Sequence, residues 1–387
     1  MKIRMYNCYF GDCFRIRGEK DNDLLVDFGI LRQALNEPSR NRVFDAIFSD
    51  FKNDDIDFLL THYHEDHYNG AVHIMKKPFS FRDIYIPDIW NVKGSLEAVK
   101  LHLLDDILSN FVIKDGKSDL QFITFLESLC GQRVHFVQRE TPIQDRFIAL
   151  WPDEKCICET ALKLYKEAIV KAGLSPSDEA KLNRIAGYLR RTVLMIHSRD
   201  RHAEEVIRRF KRIRRSINKL IETLEIDEER RKVIRRLVIK LGDFKNDISI
   251  VFQNRVNTES DNVLFLGDFG TSDKIWNQMK SGFCDSKPTC LYPKYHIVKV
   301  THHGTEDHYK WFKKHLDKFT DNHSIFLIPN GGYKKLSLYE DYSCFINDHE
   351  AKAVCSSCDS CETVEEFEDC MCLRHKIVFP KKYVDIS

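Results

Sequence analysis

An apolar run from Ile56 to Leu60 passes without a break into His62-Tyr63-His64-Glu65-Asp66-His67, and Asn69-Gly70 follows. This is the feature that most limits what the chain can become, because four ligating side chains crowd the end of one buried strand. In a turn after such a strand, His62 and His64 can converge on one metal ion. Asp66 and His67 can bend back toward a second. Imidazole and carboxylate donors suit zinc, manganese or iron. The flanking strand and glycine argue against a merely solvated histidine-rich loop.

Two later strand ends offer partners. Asp268 follows the apolar run Val263–Leu266 and precedes Phe269-Gly270. A carboxylate there points into a strand-end site and can bridge two metals. Thr301-His302-His303-Gly304 ends another strand. One of its histidines is expected to ligate and the other to donate protons or bind substrate. His302 is the first choice as ligand, leaving His303 for proton transfer.

Around these motifs, period-two apolar runs alternate with helical stretches over residues 1–153 and return over 244–340, the pattern of an α/β layered fold. Between them, 154–243 carries no convincing strand and reads as a helical insertion. From Lys181 to Lys240 it holds 19 Lys or Arg against 8 Asp or Glu, a net of +11. Val206, Ile207, Phe210, Ile213, Ile217 and Leu220 recur at helical spacing, so the helix is amphipathic with a basic outer face. A second helix is expected after the turn at residues 226–229, the two forming a hairpin. Arg208, Arg209, Lys211, Arg212, Arg214 and Arg215 are the candidate phosphate contacts of a nucleic acid. The bland alternative is a solvated helix paired with the acidic stretch at 222–229.

The 387 residues suffice for a large core, and the net charge of +1 by itself implies no acidic partner. Thirteen cysteines suggest disulfides at first sight. The chain lacks an apolar leader and any run long enough to span a membrane, and the count is odd. A reducing cytoplasm with no membrane contact is therefore expected. The tail, 341–387, reads as irregular and gathers Cys355, Cys358, Cys370, Cys372 and His375. Closely spaced thiols of this kind are a candidate structural zinc site, though not at standard finger spacing.

Taken in order, Phe10-Gly11-Asp12-Cys13, Leu25-Val26-Asp27-Phe28-Gly29, the 62–67 motif, Asn246 to Val251, Gly267-Asp268 and His302-His303-Gly304 resemble the metallo-β-lactamase superfamily. The branch most similar is the hydrolase domain of bacterial DNA-uptake channel proteins. The resemblance implies a four-layer αββα sandwich, here with an inserted basic helical hairpin. It also implies that His62 and His64 hold one divalent metal (zinc, or manganese), that Asp66 and His67 hold the other, and that Asp268 bridges. Asp12 and Asp27 would orient ligand histidines. Ser249 stands where many members carry a further histidine. At 330–335 the sequence NGGYKK replaces the branch's usual Tyr-Gly-His-Pro, so the second metal is expected to be weaker or a lysine to bind phosphate.

By that resemblance the chain is expected to be a metal-dependent hydrolase, a nuclease or phosphodiesterase, with Asp66 orienting the attacking water and His303 protonating the leaving group. Fold does not choose the substrate. A small-molecule hydrolase acting on a nucleotide or lactone is one rival. A partner-binding subunit of a defence or DNA-processing complex, docking through the insertion with a vestigial metal site, is another.

Overall fold

The computed structural model describes residues 1–18, 22–92, 95–112, 120–197, 203–258, 261–270, 273–281, 290–329, 351–355 and 383–386. It is a mixed α/β structure with two seven-stranded sheets and, among the described residues, ten α-helices. The first sheet contains β1 (Lys2–Tyr6), β2 (Phe14–Arg17), β3 (Asp23–Val26), β4 (Ile56–Leu59), β5 (Ile84–Pro87) and β6 (Val134–Val137) in sequence order. The second runs β7 (Pro142–Ile143), β8 (Phe147–Trp151), β9 (Val251–Asn254), β10 (Val263–Phe265), β11 (Ile297–Lys299) and β12 (Ile325–Ile328). Strands β3 to β6 are mutually parallel, as are β10 to β12.

The tail read as irregular supplies one more strand to each sheet. Strand β13 (Lys352–Cys355) lies parallel to β12, and β14 (Tyr383–Ile386) lies antiparallel to β1. Each takes up the open edge of a sheet, a pairing that depends on long-range closure and leaves little local signal. Cys355 ends β13; Cys358, Cys370, Cys372 and His375 lie outside the described residues, as do 330–335.

Alternation along the strands sorts the side chains into separate cores. Ile3, Met5, Phe14, Ile16, Leu24, Val26 and Leu59 of the first sheet share one cluster with Phe147, Ala149, Phe252, Val263, Phe265, Ile297 and Leu327 of the second. The opposite parity of the first sheet, Leu25, Phe58, Ile84 and Ile86, packs with helices. That of the second, Leu264, Val298 and Phe326, packs with Trp276 and Phe312 of the helices α9 (Asp273–Ser281) and α10 (Glu306–Leu316).

The insertion is four helices, not a hairpin: α5 (Glu154–Ala172), α6 (Pro176–His197), α7 (Ala203–Thr223) and α8 (Glu228–Asp247). Asp153 caps α5 by accepting from the amides of Lys155 and Cys156, and Gly173 ends it in the left-handed region at φ 59°. Asp227 caps α8 through the Arg230 amide. Helix α7 packs on α6 and on α4 (Gln121–Ser128), whereas α8 packs on α5 and α3 (Ser95–Val112). The reason is the separate apolar stripes: Phe210, Ile213 and Ile217 of α7, and Ile234, Leu237, Leu241 and Phe244 of α8, each join the core outside the first sheet. No helix among the described residues is long and apolar enough to cross a membrane.

Candidate metal centre

Six potential ligands meet at the carboxyl ends of the parallel strands, the place where α/β sheets commonly bind. Strand β4 delivers Thr61 and His62 into this crevice. His64 then stands at the N-cap of α2 (Glu65–Met75), which puts Asp66 and His67 in the first helical turn. A carboxylate is favoured there by the helix dipole. The loop after β3 lies directly against this turn: the Phe28 amide donates to the His67 carbonyl at 2.7 Å. A Cβ on Gly29 would come within 2.4 Å of the Asp66 backbone, so only glycine allows the approach.

Asp27 adopts a left-handed φ of 52°, costly for a residue with a Cβ. Its carboxylate justifies that conformation. It accepts from the Thr61 amide and hydroxyl at 2.7 Å each, and Oδ2 lies 2.9 Å from His67 Nδ1. The His67 ring is thereby turned to present Nε2, which is buried without an aligned hydrogen bond and lies 3.3 Å from Asp268 Oδ2. His62 Nε2 stands 2.9 Å from His64 Nδ1 and 3.9 Å from Asp268 Oδ2. Asp268 follows β10 after Gly267, whose left-handed φ of 53° makes the turn. The Asp268 amide donates to Ser249 Oγ at 3.3 Å, so Ser249 braces the loop that carries this carboxylate.

The 301–304 loop corrects one expectation. His302 and His303 are consecutive left-handed residues, at φ 46° and 56°, and their side chains diverge. His303, not His302, enters the cluster. Its Nε2 lies 3.5 Å from Asp268 Oδ2 and 3.6 Å from Asp66 Oδ2, while its Nδ1 sits 2.9 Å from Asp12 Oδ1. Both ring nitrogens thus face carboxylate oxygens, Asp12 on one side and Asp66 and Asp268 on the other. His302 Nδ1 pairs instead with His308 Nδ1 at 2.9 Å.

Lys299 was not anticipated. It shares the parity of Ile297 on β11, so its side chain points between the sheets and emerges at the crevice. Its ammonium contacts Asp12 Oδ2 at 2.6 Å, Asp268 Oδ1 at 3.2 Å and the Gly267 carbonyl at 2.8 Å. A lysine at an inward position of the apolar strand HIVKV was the available signal, as was His308 six residues after His302.

The electrostatics are those of a site short of positive charge. Asp12 and Asp268 share one fixed cation, Lys299, while Asp27 and Asp66 face His67 and His303. Burial opposes the charged form of Asp268, but His303, His67 and Lys299 outweigh it and hold the carboxyl well below the usual range. Burial likewise opposes charge on His67, but Asp268 and Asp27 outweigh it and push the imidazole well up. His303 is pushed up to about 9 by Asp268 and Asp12 against the same burial. Burial and the charge of His67 hold His62 well below its ordinary value. Buried carboxylates facing imidazole nitrogens fit a divalent cation, which would take the place of the protons on His67 and His303. Ligand atoms of His62, His67 and Asp268 lie close enough together to share an ion, as do those of Asp66, His67 and His303.

The candidate nucleic-acid residues fall into two groups. Glu205 pairs with Arg208 at 3.3 Å and Arg209 at 2.9 Å, and Glu127 of α4 pairs with Arg214 at 3.0 Å. Lys211, Arg212 and Arg215 form no ion pair among the described residues, and all three side chains are exposed.

No protein-family model matches this sequence, and comparisons with curated proteins and with solved structures find no match.

Proposed function

We propose that the chain is a metal-dependent hydrolase built on the four-layer αββα sandwich of the metallo-β-lactamase type, cleaving phosphodiesters in a nucleic acid. The observation that carries the reading is the convergence of His62, His64, Asp66, His67, Asp268 and His303 from three strand ends that are distant in sequence. Binding to a partner would not require such a set.

In this reading His62 and His64 would hold one divalent ion, Asp66, His67 and His303 would hold a second, and Asp268 would serve as a further ligand. Bound there, such ions would supply Lewis acidity and a water activated near neutral pH. The residues of the chain prepare that chemistry. Asp27 fixes the tautomer and orientation of His67, and Asp12 does the same for His303. Lys299 ties Asp12 to Asp268 and offsets part of the carboxylate charge. Asp66, held ionised by the histidines around it, is placed to orient the attacking water. Burial holds the His302 imidazole below its ordinary value, so His302 does not take over the proton-donor role expected of His303.

Phosphodiester substrates are favoured by the three exposed cations Lys211, Arg212 and Arg215 of α7, which form no close ion pair among the described residues and suit a nucleic-acid backbone. The test is cleavage of single- and double-stranded DNA and RNA with zinc or manganese, comparing the native chain with His64→Ala and Asp268→Asn. Loss of cleavage in both variants is expected. No cleavage of any polymer by a metal-loaded native chain would overturn the nuclease reading and favour a nucleotide or lactone substrate.

A further inference from the structure

Helices α6 and α7 form a half-open groove of about 520 Å³ that involves none of the residues assigned above except Arg212. Its size lies within the range of small-molecule sites, about 300 to 1,000 Å³. Ile185, Ile213 and Leu220 form an apolar floor, each buried, and Tyr188 closes one side. The Arg209 guanidinium carbon lies 5.4 Å from the centre of the Tyr188 ring.

Every charged residue that lines the groove is cationic, Lys181, Arg184, Arg212 and Lys219, with no carboxylate among them. Lys181 is held by Asp178 at 2.9 Å, Arg184 and Lys219 have no ion pair among the described residues, and Arg212 has only a longer-range attraction to Glu205. The hydroxyls of Ser216 and Thr223 complete the edge. That of Thr223 donates to the Leu220 carbonyl at 2.9 Å and keeps lone pairs for a further donor.

We propose that this groove binds a nucleoside phosphate, the base on the apolar floor against Tyr188 and the phosphates on Arg184, Arg212 and Lys219. A bare polyphosphate would leave the apolar floor wet. An anionic amphiphile would use the floor and the cations but not the hydroxyls, which match the polar edge of a base. The shared chemistry comes from two sources, a free nucleotide or one nucleotide of a single strand, and stacking and charge serve both. The site stands apart from the metal centre and does not depend on its activity.

The test is equilibrium binding to the full chain in chelator, which keeps hydrolysis out of the measurement, so that failure here and failure of the hydrolase reading are separable. ATP is expected to bind saturably, at least about tenfold more tightly than tripolyphosphate or dodecyl phosphate. Arg212→Glu with Lys219→Glu, both exposed, should weaken ATP by about tenfold or more while leaving the melting temperature unchanged. Tyr188→Ala should weaken ATP but not tripolyphosphate. Mutual displacement between ATP and a short fluorescein-labelled oligothymidylate identifies the ligand as a residue of a strand, and ATP binding without oligothymidylate binding identifies it as a free nucleotide. No saturable ATP binding, equal or tighter binding of tripolyphosphate or dodecyl phosphate, or indifference to the double charge reversal overturns the proposal.

Discussion

The protons that hold the centre together without metal make its stability depend on pH in a calculable way. Burial works against a charged His303, yet Asp268 and Asp12 push its pKa up to about 9, whereas an imidazole in an unfolded chain titrates near 6.5. The folded value is the higher one. Its contribution is therefore complete below about pH 6.5 and is lost as pH rises through about 9. That interval corresponds to about 3 kcal/mol. His67, pushed up by Asp268 and Asp27, adds a contribution of the same sign. Chelator-treated protein unfolded in guanidinium at a series of pH values from about 6.5 to about 9 should lose stability steadily. His303→Gln, unable to hold the proton, should lose about 3 kcal/mol less over the same interval. With a divalent ion in place of the protons the dependence should flatten. Parallel curves for the native chain and His303→Gln would refute the assignment of this proton.

Other perturbations separate the roles of neighbouring residues. Asp27→Ala frees the His67 ring and should weaken zinc affinity by about 10- to 100-fold, read by competition with a fluorescent chelator; an unchanged affinity would contradict the orienting role. Lys299→Met leaves Asp12 and Asp268 without their shared cation and should destabilise the metal-free protein by about 3–5 kcal/mol in denaturant titrations. Added metal should recover part of that loss, and a neutral effect would show that the lysine is dispensable. Replacing Lys211, Arg212 and Arg215 by alanine should reduce the salt slope of nucleic-acid binding by about 3, at about 0.9 per phosphate contact on duplex DNA. An unchanged slope would remove α7 from the interface.

The centre was legible in the sequence wherever ligands are neighbours along the chain. The residues from His62 to His67 announce themselves because strand β4 ends where they begin. Even there a turn was expected throughout, whereas Asp66 and His67 belong to the first turn of α2. Asp268 was legible as a carboxylate at the end of an apolar strand. Asp12 and Asp27 came through resemblance, and the contacts of Asp27 with Thr61 and His67 give that placement its physical reason. The choice between His302 and His303 was not legible, because it turns on two successive left-handed residues that no local pattern signals. Lys299 was overlooked although its parity with Ile297 marks it as inward. Strands β13 and β14, and the parting of α7 from α8, depend on surfaces brought together only by the whole fold.

In the proposed hydrolase, His303 and His67, with Asp66 and Asp268, surround a metal ion. The most direct measurement is anomalous diffraction from crystals grown with zinc. A strong peak is expected within coordination distance of His67 Nε2, His303 Nε2 and an Asp268 carboxylate oxygen. A peak shared by His302 and His308, with none beside His67, would contradict it.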